Sequence, residues 1–386
     1  MHIAWLGKKS PFCGNVTYGR EITNALLERG YRVTFLHFAA EAEPAEDQAG
    51  YEEVSLPFIF KSQILIIPAL RSARRLAEVL AELKPDIVHA SLSLSPLDLK
   101  LPEICHSLGI PLVATFHPAF DHKRRNFTSG TQHFTYQIYA PSLANYDRVI
   151  VFSCLQQNLL IKLGVPSERI EVIPNGVDVY RYCPGLSRVK AEFDARHLYV
   201  YQGRLSIEKN VESLLKAWKL ANMGKANKLL MVGSGPLEST LRAAYGSDDS
   251  VVWLGFVADE QRRIDILRGA DVFILPSLIE GLSLSLLEAM ACGAACIATD
   301  AGADGEVLEA GAGIVIDTQR VTLQLQTILP LLRDHPEMIS ILSSKARQRV
   351  LDRYTLSTNI TQLENLYARI VPAKAKYSTL QQVSQS

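Results

Sequence analysis

The chain lacks several features that would each indicate a particular class of protein. No uninterrupted apolar run reaches the roughly 18 residues of a membrane-spanning helix, and the first residues, MHIAWLG, predict a buried strand and not a signal peptide. The 40 basic and 40 acidic side chains cancel, so no overall positive field favours nucleic acid, and attraction to a membrane has to come from local patches. We therefore expect a cytoplasmic protein with no nucleic-acid partner and no obligate protein partner.

Metal-binding and redox patterns are also missing. The six cysteines form no CxxC pair and no Cys/His cluster, which predicts reduced and mostly buried thiols. No Asp-x-Asp occurs in the sequence, so the usual carboxylate ligands that hold Mg²⁺ against a diphosphate are absent. We expect no metal and no cofactor.

Two series of short apolar runs alternate with helical patterns, which is typical of parallel α/β sheets. The 386 residues, 48% of them hydrophobic, are enough for two cores. A turn-rich segment at 172–188 separates the series and is the expected hinge, and helical patterns follow at 320–349 and 356–372. The expected strands lie at 2–7, 32–38, 86–91, 111–116 and 148–153, and then at 197–203, 227–233, 251–256, 271–277, 296–299 and 313–316.

The most informative segment is 274–300, ILPSLIEGLSLSLLEAMACGAACIATD, because a helix is expected to start within it. A strand ends ahead of a tight turn that Gly281 permits. Ser283 is the expected cap of a helix that runs to Ala291 and stops at Gly293. Free N–H groups at such a helix start favour a diphosphate.

Glu280 and Glu288 lie on either side of this helix start, roughly 12 Å apart if the whole interval were helical. That is the reach of a nucleotide sugar, with Glu280 at the hydroxyls of the sugar and Glu288 at the two ribose hydroxyls. The neighbours of Glu288 are apolar, and a buried carboxylate without partners is costly. The alternative is that Glu280 is a solvated loop residue and Glu288 an ordinary carboxylate on a helix face.

A Glu, seven residues and a second Glu in such a segment resemble the signature of the retaining glycosyltransferases of family 4. Further segments fit in the same order along nearly the whole chain: KKSPFCGNVTYGREI (8–22), ATFH (114–117), VIPNGVD (172–178), QGRLSIEKN (202–210) and MVGSGPL (231–237). The narrower likeness is to bacterial enzymes that add a hexose to a glycolipid, such as the digalactosyldiacylglycerol synthases.

The resemblance implies the GT-B fold, an α/β architecture in which two Rossmann-like parallel-sheet domains face each other across a cleft. The expected acceptor-side domain covers 1–180 and the nucleotide-sugar domain covers 181–352. A helix at 353–375 is expected to cross back to the first domain, and a disordered tail at 376–386 to follow.

The resemblance also assigns roles to residues of the second domain. Arg204 and Lys209 are the expected cations that meet the negative charge on the leaving phosphate, with Gly203 giving room. Gly233 and Gly235 are expected to let the ligand approach the backbone. Backbone groups near Gly255 and Phe256 are expected to read uracil, and Gly281, Leu282 and Ser283 to contact the donor. The alternative for 202–210 is a surface turn with solvated charges.

In the first domain, Gly14 is the expected contact of the donor diphosphate. Many relatives have two adjacent glycines here, whereas this chain has Gly14-Asn15, so the backbone contact is less secure. His117 ends a strand ahead of Pro118, at the carboxyl end where ligands bind, and is expected to hydrogen-bond the donor sugar. The alternatives are an ordinary loop at Gly14 and a histidine that only satisfies its neighbours.

The acceptor is indicated by basic residues that lie among apolar ones. Residues 57–84 combine large apolar side chains with Lys61, Arg71, Arg74 and Arg75, and 121–125, DHKRR, add a second basic cluster. Such segments are typical of a protein surface that lies on an anionic membrane. The alternative is a core helix with a solvated face.

The sequence therefore predicts a metal-independent, retaining hexosyltransferase. The expected donor is UDP-galactose or UDP-glucose, and the expected acceptor is a membrane glycolipid, reached by peripheral binding to the cytoplasmic face. One alternative is a transferase with a soluble sugar or polysaccharide acceptor. Two others are a UDP-sugar epimerase of the same fold and an inactive module that only binds nucleotide sugars.

Overall fold

The computed structural model describes residues 1–10, 13–39, 50–62, 65–120 and 127–371, with the backbone alone at 127–131. The chain forms two compact units. The first contains 1–118, 134–173 and the residues from 359 onward, and the second contains 119–133 and 174–358. The chain therefore passes to the second unit within the expected hinge at 172–188, ahead of the boundary expected at 180. The basic cluster 121–125 and the tail 376–386 lie outside the described residues.

The first unit is built on a parallel sheet of seven strands in the order β3-β2-β1-β6-β7-β8-β9, with β4 and β5 forming a separate antiparallel pair. The strands are β1 (His2–Leu6), β2 (Arg32–Phe38), β3 (Glu52–Leu56), β4 (Phe58–Lys61), β5 (Ile66–Pro68), β6 (Ile87–Ser91), β7 (Leu112–Thr115), β8 (Arg148–Val151) and β9 (Ile170–Val172). The helices up to this point are α1 (Gly14–Glu28), α2 (Ser72–Leu83), α3 (Leu101–Leu108), α4 (Phe127–Leu143) and α5 (Cys154–Lys162).

The five strands expected in this unit are confirmed. Sequence patterns missed the β4–β5 pair and the two edge strands of the sheet, β3 and β9. β3 reads EEVSL and buries only its last residue, and β9 has three residues. An edge strand needs little apolar sequence because one side of it faces away from the sheet.

The core of the first unit contains a polar chain across the middle of the sheet. The Trp5 ring stacks on His89, with the ring centres 4.2 Å apart. His89 Nε2 lies 2.7 Å from Thr115 Oγ1, which also lies 3.2 Å from the hydroxyl of Tyr18. The other ring nitrogen of His89 bonds the hydroxyl of Tyr367. Burial, and then the nearby His117, lower the pKa of the His89 imidazole to about 3, so this core histidine is neutral.

The second unit is built on a parallel sheet of six strands in the order β12-β11-β10-β13-β14-β15. All six expected strands are confirmed: β10 (His197–Gln202), β11 (Asn227–Val232), β12 (Val251–Gly255), β13 (Val272–Leu275), β14 (Ala295–Thr299) and β15 (Ile314–Ile316). The remaining helices are α6 (Val189–Glu192), α7 (Val211–Ala221), α8 (Glu238–Tyr245), α9 (Glu260–Gly269), α10 (Leu284–Cys292), α11 (Asp304–Val307), α12 (Val321–Asp334), α13 (Pro336–Arg353) and α14 (Leu356–Ile370).

Two of the expected helical segments differ in detail from the prediction. The segment 320–349 is two helices, because Pro336 starts α13 where its missing N–H costs nothing. From residue 359, α14 belongs to the first unit, where Glu364 pairs with Arg29 and Arg369 pairs with Glu171.

Three of the six cysteines are buried, namely Cys105, Cys292 and Cys296, while Cys154 is exposed. The six are all free thiols. Burial was therefore overestimated from the sequence: Cys13 and Cys183 are half-buried, and Cys154, the first residue of α5, is exposed.

Two glycines of the MVGSGPL segment pack against the loop that follows β10. A Cβ at Gly233, whose φ is +133°, would lie 1.9 Å from the carbonyl oxygen of Gly203. A Cβ at Gly235 would lie 2.4 Å from the carbonyl oxygen of Leu205. Backbone bonds from Gly203 N to Val232 O and from Leu205 N to Ser234 O hold the two loops together. The missing side chains thus let one loop approach the other, whereas the sequence suggested room for a ligand.

We predict that Gly233→Ala destabilises the fold, because both the close carbonyl and the left-handed backbone oppose a methyl group. The free energy of unfolding should fall by about 3 kcal/mol or more, measured by chemical denaturation. Gly50→Ala is the control, since no atom of the described residues lies within 4 Å of its added methyl and its φ is not left-handed. Equal unfolding midpoints for the two variants would contradict this account of the loops.

Candidate functional site

The strand order of the second sheet reverses between β10 and β13, which pair with each other as parallel neighbours. In open parallel sheets, ligands bind outside the carboxyl ends of the strands at such a reversal. The segments that leave these two ends are 203–210 and 276–283, so both motifs expected to bind the donor meet at this point of the second unit.

The start of α10 has the form expected from the sequence. Ser283 caps the helix, and its Oγ accepts from the N–H of Leu286 at 3.4 Å. The amides of Leu284 and Ser285, in the first turn, have no hydrogen bond with the part of the chain that the structure describes. The helix ends at Cys292, one residue beyond the expected Ala291, and Gly293 follows with φ +88°. Two unpaired N–H groups at a helix start favour an anion.

Glu280 lies in the turn ahead of this helix and is almost fully buried. Its Oε1 accepts from the Lys209 ammonium at 2.5 Å and from the Ser277 hydroxyl at 2.7 Å. Its Oε2 has no hydrogen bond with any described residue. The carboxylate is therefore oriented through one oxygen, while the other remains an acceptor for a further donor.

Lys209 reaches Glu280 because the two loops are joined by their backbones. The Asn210 side chain donates to the carbonyl of Pro276 at 3.2 Å, and the amide of Leu278 donates to the carbonyl of Glu208 at 2.8 Å. Burial by itself lowers the pKa of the Lys209 ammonium, but the Glu280 carboxylate outweighs it, so the pKa is raised above its ordinary value. Lys209 is therefore fully charged near pH 7.

Arg204 is the other cation expected in this region, and its side chain is exposed. Its carbonyl oxygen accepts from the hydroxyl of Tyr201 at 2.7 Å, which fixes the backbone. Its guanidinium forms no hydrogen bond or ion pair with the described residues. Arg204 is thus anchored at its main chain with its charge available.

Glu288 lies on α10 and has the partner that its apolar surroundings require. Gln202, the last residue of β10, donates from Nε2 to Glu288 Oε2 at 3.1 Å. The structure therefore brings the QGR segment and the second glutamate together, through a residue that sequence reasoning did not single out.

Further polar groups that the sequence did not predict surround the same turn. Asp304 Oδ1 accepts a hydrogen bond from the Ser283 amide at 2.9 Å. The other carboxyl oxygen of Asp304, Oδ2, is buried and has no hydrogen-bond partner among the described residues. Burial, and then the nearby Glu280, raise the pKa of the Asp304 carboxyl well above its ordinary value. Asn175 donates to the carbonyl of Leu282 at 3.0 Å. The signal for Asp304 is an acidic residue at the first position of a short helix, in the ADGE segment.

Gly302 is a second residue that the sequence did not reveal. Its φ is +58°, and a Cβ there would lie 2.1 Å from the carbonyl oxygen of Glu280 and 2.6 Å from that of Gly281. Only glycine allows the segment after β14 to approach the Glu280 turn this closely.

The loop after β12 contains Gly255 and Phe256, the residues expected near the base. Gly255 has φ +67° and no atom within 4 Å of an added Cβ. Its carbonyl accepts from the amide of Gly233 at 2.7 Å. The Phe256 ring is 57% exposed, which leaves an aromatic surface beside this loop.

His117 and Gly14 lie in the first unit. The Tyr18 ring meets the His117 ring edge-on with the centres 4.9 Å apart, and the Phe152 ring lies 5.3 Å away. His117 Nε2 is 2.8 Å from the Ser91 hydroxyl. Gly14 is the first residue of α1 and is exposed, and no atom of the described residues lies within 4 Å of where its side chain would begin.

The segment 57–84 combines a hairpin with an amphipathic helix. Ile59 and Phe60 on β4 and Ile67 on β5 are exposed, and Leu70 is fully exposed ahead of α2. Of the four basic residues expected on this surface, Lys61 turns inward. Its ammonium donates to the Ser10 hydroxyl at 2.8 Å and to the Phe38 carbonyl at 3.0 Å. An open pocket of about 400 Å³ is lined by Ala39, Ser55, Leu56, Pro57, Arg71, Arg74, Arg75 and Glu78.

No helix among the described residues is both long enough and apolar enough to span a bilayer. No group of three or more His, Cys, Asp or Glu side chains in the same residues could hold a metal ion.

Comparison with known proteins gives matches to both units. Residues 14–181 match the family model described as Glycosyltransferase Family 4, and residues 186–349 match the one described as Glycosyl transferases group 1. The UDP-Gal:alpha-D-GlcNAc-diphosphoundecaprenol alpha-1,3-galactosyltransferase of Escherichia coli is 27% identical over 329 residues, which are 81% of this chain and 82% of that protein. The N-acetyl-alpha-D-glucosaminyl L-malate synthase of Bacillus anthracis is 25% identical over 381 residues, 92% of this chain and 93% of that protein.

Among solved structures, Anabaena HepE in complex with UDP-glucose aligns with a TM-score of 0.78 at 19% identity, covering 96% of this chain and 100% of that one. At this identity the likeness concerns the fold. The two family models together match residues 14–181 and 186–349, which include all the strands from β2 to β15. The chain is therefore a glycosyltransferase of the family 4 type, with the GT-B fold.

Proposed function

We propose that this glycosyltransferase moves a hexose from UDP-galactose or UDP-glucose to a hydroxyl of a lipid-linked acceptor, with retention at the anomeric carbon and without a metal. The observation that carries the donor half is the Glu280 turn. A charged ammonium, a carboxylate with one oxygen left over and two unpaired amides of α10 stand at the reversal of the second sheet. This set matches the parts of a nucleotide sugar.

In this proposal each group meets one part of the donor. The amides of Leu284 and Ser285, with Arg204 and Lys209, meet the diphosphate. Glu280 accepts a hydrogen bond from a hydroxyl of the hexose through Oε2. Glu288, which Gln202 holds in place, accepts hydrogen bonds from the ribose hydroxyls. The loop that contains Gly255 and Phe256 lies beside the base.

In the proposed reaction, negative charge develops on the leaving diphosphate. The bond between the anomeric carbon and the phosphate oxygen breaks, and the acceptor oxygen attacks from the same face. The proton of the acceptor hydroxyl passes to the leaving phosphate, so no carboxylate of the protein acts as nucleophile. Fixed cations lower the barrier because the diphosphate becomes more negative in the transition state.

The names of one relative and one structural neighbour support UDP as the nucleotide of the donor. The name of the Escherichia coli relative specifies UDP-Gal and an acceptor linked to diphosphoundecaprenol. HepE of Anabaena was solved with UDP-glucose. A lipid acceptor fits the exposed apolar hairpin and the arginines of α2.

The direct test is incubation of the purified protein with radiolabelled UDP-galactose or UDP-glucose and a bacterial lipid extract. The proposal predicts label in the organic phase, α-linked as in the donor, and an unchanged rate after EDTA treatment. Label confined to the aqueous phase on a new sugar would favour a soluble acceptor. Loss of activity in EDTA, restored by Mg²⁺, would contradict metal independence.

Arg204→Ala tests the role of the exposed cation. Because the charge matters most in the transition state, kcat should fall by about 100-fold or more while KM for the donor changes much less. The unfolding free energy should stay within about 0.5 kcal/mol, since the guanidinium has no partner among the described residues. Arg320→Ala, an exposed arginine at the start of α12, is the matched control and should keep full activity. An unaltered kcat in Arg204→Ala would remove this residue from the mechanism.

The acceptor half of the proposal rests on the surface of 57–84 in the first unit. Leu70 is fully exposed and precedes Arg71, and Arg74 and Arg75 follow within one turn of α2. Apolar side chains that enter the interface beside cations attracted to anionic headgroups are typical of peripheral membrane binding. We therefore propose that this surface lies on an anionic membrane that presents the acceptor.

Liposome flotation with anionic lipid at low salt tests this surface. The unaltered protein should float, and raising the salt should weaken binding because the arginine contribution is screened. Leu70→Glu should reduce flotation, whereas Leu186→Glu should not, since Leu186 is equally exposed but lies in the second unit. If the unaltered protein stays at the bottom at low salt, the membrane proposal fails.

A soluble acceptor remains the second candidate, for a specific reason. The Bacillus anthracis relative aligns over 92% of this chain, and it is named as the synthase of N-acetyl-alpha-D-glucosaminyl L-malate, which is not a lipid. The same donor groups serve either acceptor, so the organic and aqueous products of the transfer assay decide between them.

A further inference from the structure

His117 is the last link of a short hydrogen-bond chain that starts at Asn15, the residue after Gly14. The Asn15 amide donates from Nδ2 to the carbonyl of Leu92 at 3.1 Å. The Ser91 hydroxyl donates to Asn15 Oδ1 at 2.7 Å. The same hydroxyl oxygen lies 2.8 Å from His117 Nε2. These groups all belong to the first unit.

The protons of this chain have only one consistent arrangement. The Leu92 carbonyl can only accept, so the NH₂ group of Asn15 must face it and Oδ1 must face Ser91. The hydroxyl of Ser91 has a single proton, which it gives to Oδ1. Its oxygen is therefore the acceptor in the bond with His117, and Nε2 is the donor.

The surroundings of His117 leave it with one ring proton. Burial, and then the nearby Lys8 ammonium, lower the pKa of the imidazole to about 3, so the ring is neutral near pH 7. Tyr18 and Phe152 hold the ring plane from two sides. Nδ1 has no hydrogen bond with the described part of the chain. With the proton on Nε2, Nδ1 presents a lone pair and no hydrogen.

We propose that Asn15 acts through Ser91 to hold His117 in the tautomer that has its proton on Nε2, so that Nδ1 accepts a hydrogen bond from a hydroxyl of the donor sugar. This inference rests on the proposed function and adds which group donates. Asn15 and Ser91 are positioning residues, whereas His117 touches the substrate. A phosphate oxygen or a carboxylate cannot take the place of the hydroxyl, because neither has a proton to give.

The arrangement of protons depends on the acceptor that Asn15 supplies. Glycine has no group that could accept from Ser91, so the Ser91 proton would be free to turn toward His117 and to stabilise the opposite tautomer. Ser91 is buried and cannot turn to bulk water instead. The tautomer preference at His117 therefore depends on an acceptor at position 15.

The test is a long-range proton–nitrogen correlation spectrum of the protein with ¹⁵N-labelled histidine, which reports the tautomer of each neutral ring. His117→Gln identifies the His117 signals by their loss. The unaltered protein should show the Nε2–H form alone. Asn15→Gly and Ser91→Ala should each give a mixture of forms or the Nδ1–H form. Asn15→Asp, which loses the bond to the Leu92 carbonyl but keeps an acceptor for Ser91, should keep the Nε2–H form.

Two outcomes would overturn the proposal that Asn15 and Ser91 hold the tautomer of His117. One is an Nδ1–H tautomer in the unaltered protein, and the other is an unchanged Nε2–H form in both Asn15→Gly and Ser91→Ala. Thermal melts of the variants show that each is folded when its spectrum is recorded. Because the tautomer is read without turnover, a failed transfer assay would reject the proposed function and leave this result standing.

The sugar contact has its own readouts. Saturating UDP-galactose or UDP-glucose should shift the Nδ1 signal of His117, whereas UDP alone should not. In the transfer assay, Asn15→Gly should lower kcat/KM roughly 3- to 10-fold, the effect of one neutral hydrogen bond, and Asn15→Asp should restore part of it. If UDP binds but neither UDP-hexose moves the Nδ1 signal, the proposed contact is wrong.

Discussion

The ion pair between Lys209 and Glu280 is the interaction on which the donor site depends. A buried carboxylate is costly unless a charged partner and further hydrogen bonds compensate for lost water. Lys209 and Ser277 both bond the same oxygen of Glu280 and so supply that compensation. The pair also joins the segment after β10 to the segment after β13, which are far apart in the sequence. The pair thus fixes the Lys209 ammonium and the Glu280 carboxylate relative to each other, on a turn that the bond from the Leu278 amide to the Glu208 carbonyl also holds.

Glycines make this junction possible by removing side chains where main chains meet. Gly233 and Gly235 let the loop after β11 lie against the loop after β10, and Gly302 lets the segment after β14 lie against Glu280. The segments that leave neighbouring strands are thus packed backbone to backbone. The polar side chains of the site are therefore held on loops that main-chain contacts keep together.

Much of this could be predicted from the sequence, and the parts that could not share a physical cause. The strands of the second sheet and the Ser283 cap follow from local patterns, because burial and capping are read from neighbouring residues. The pairing of Lys209 with Glu280 and the support of Glu288 by Gln202 depend on which strands are adjacent, which no local pattern contains. The inward turn of Lys61 was missed for the same reason, since its acceptor Ser10 follows a different strand.

A crystal structure with UDP tests the central claim most directly. The account predicts the diphosphate at the start of α10, within hydrogen-bonding distance of the Leu284 and Ser285 amides and of the Arg204 guanidinium, with the ribose at Glu288. UDP bound elsewhere on the second unit, or a diphosphate that contacts neither the amides nor the two cations Arg204 and Lys209, would contradict it.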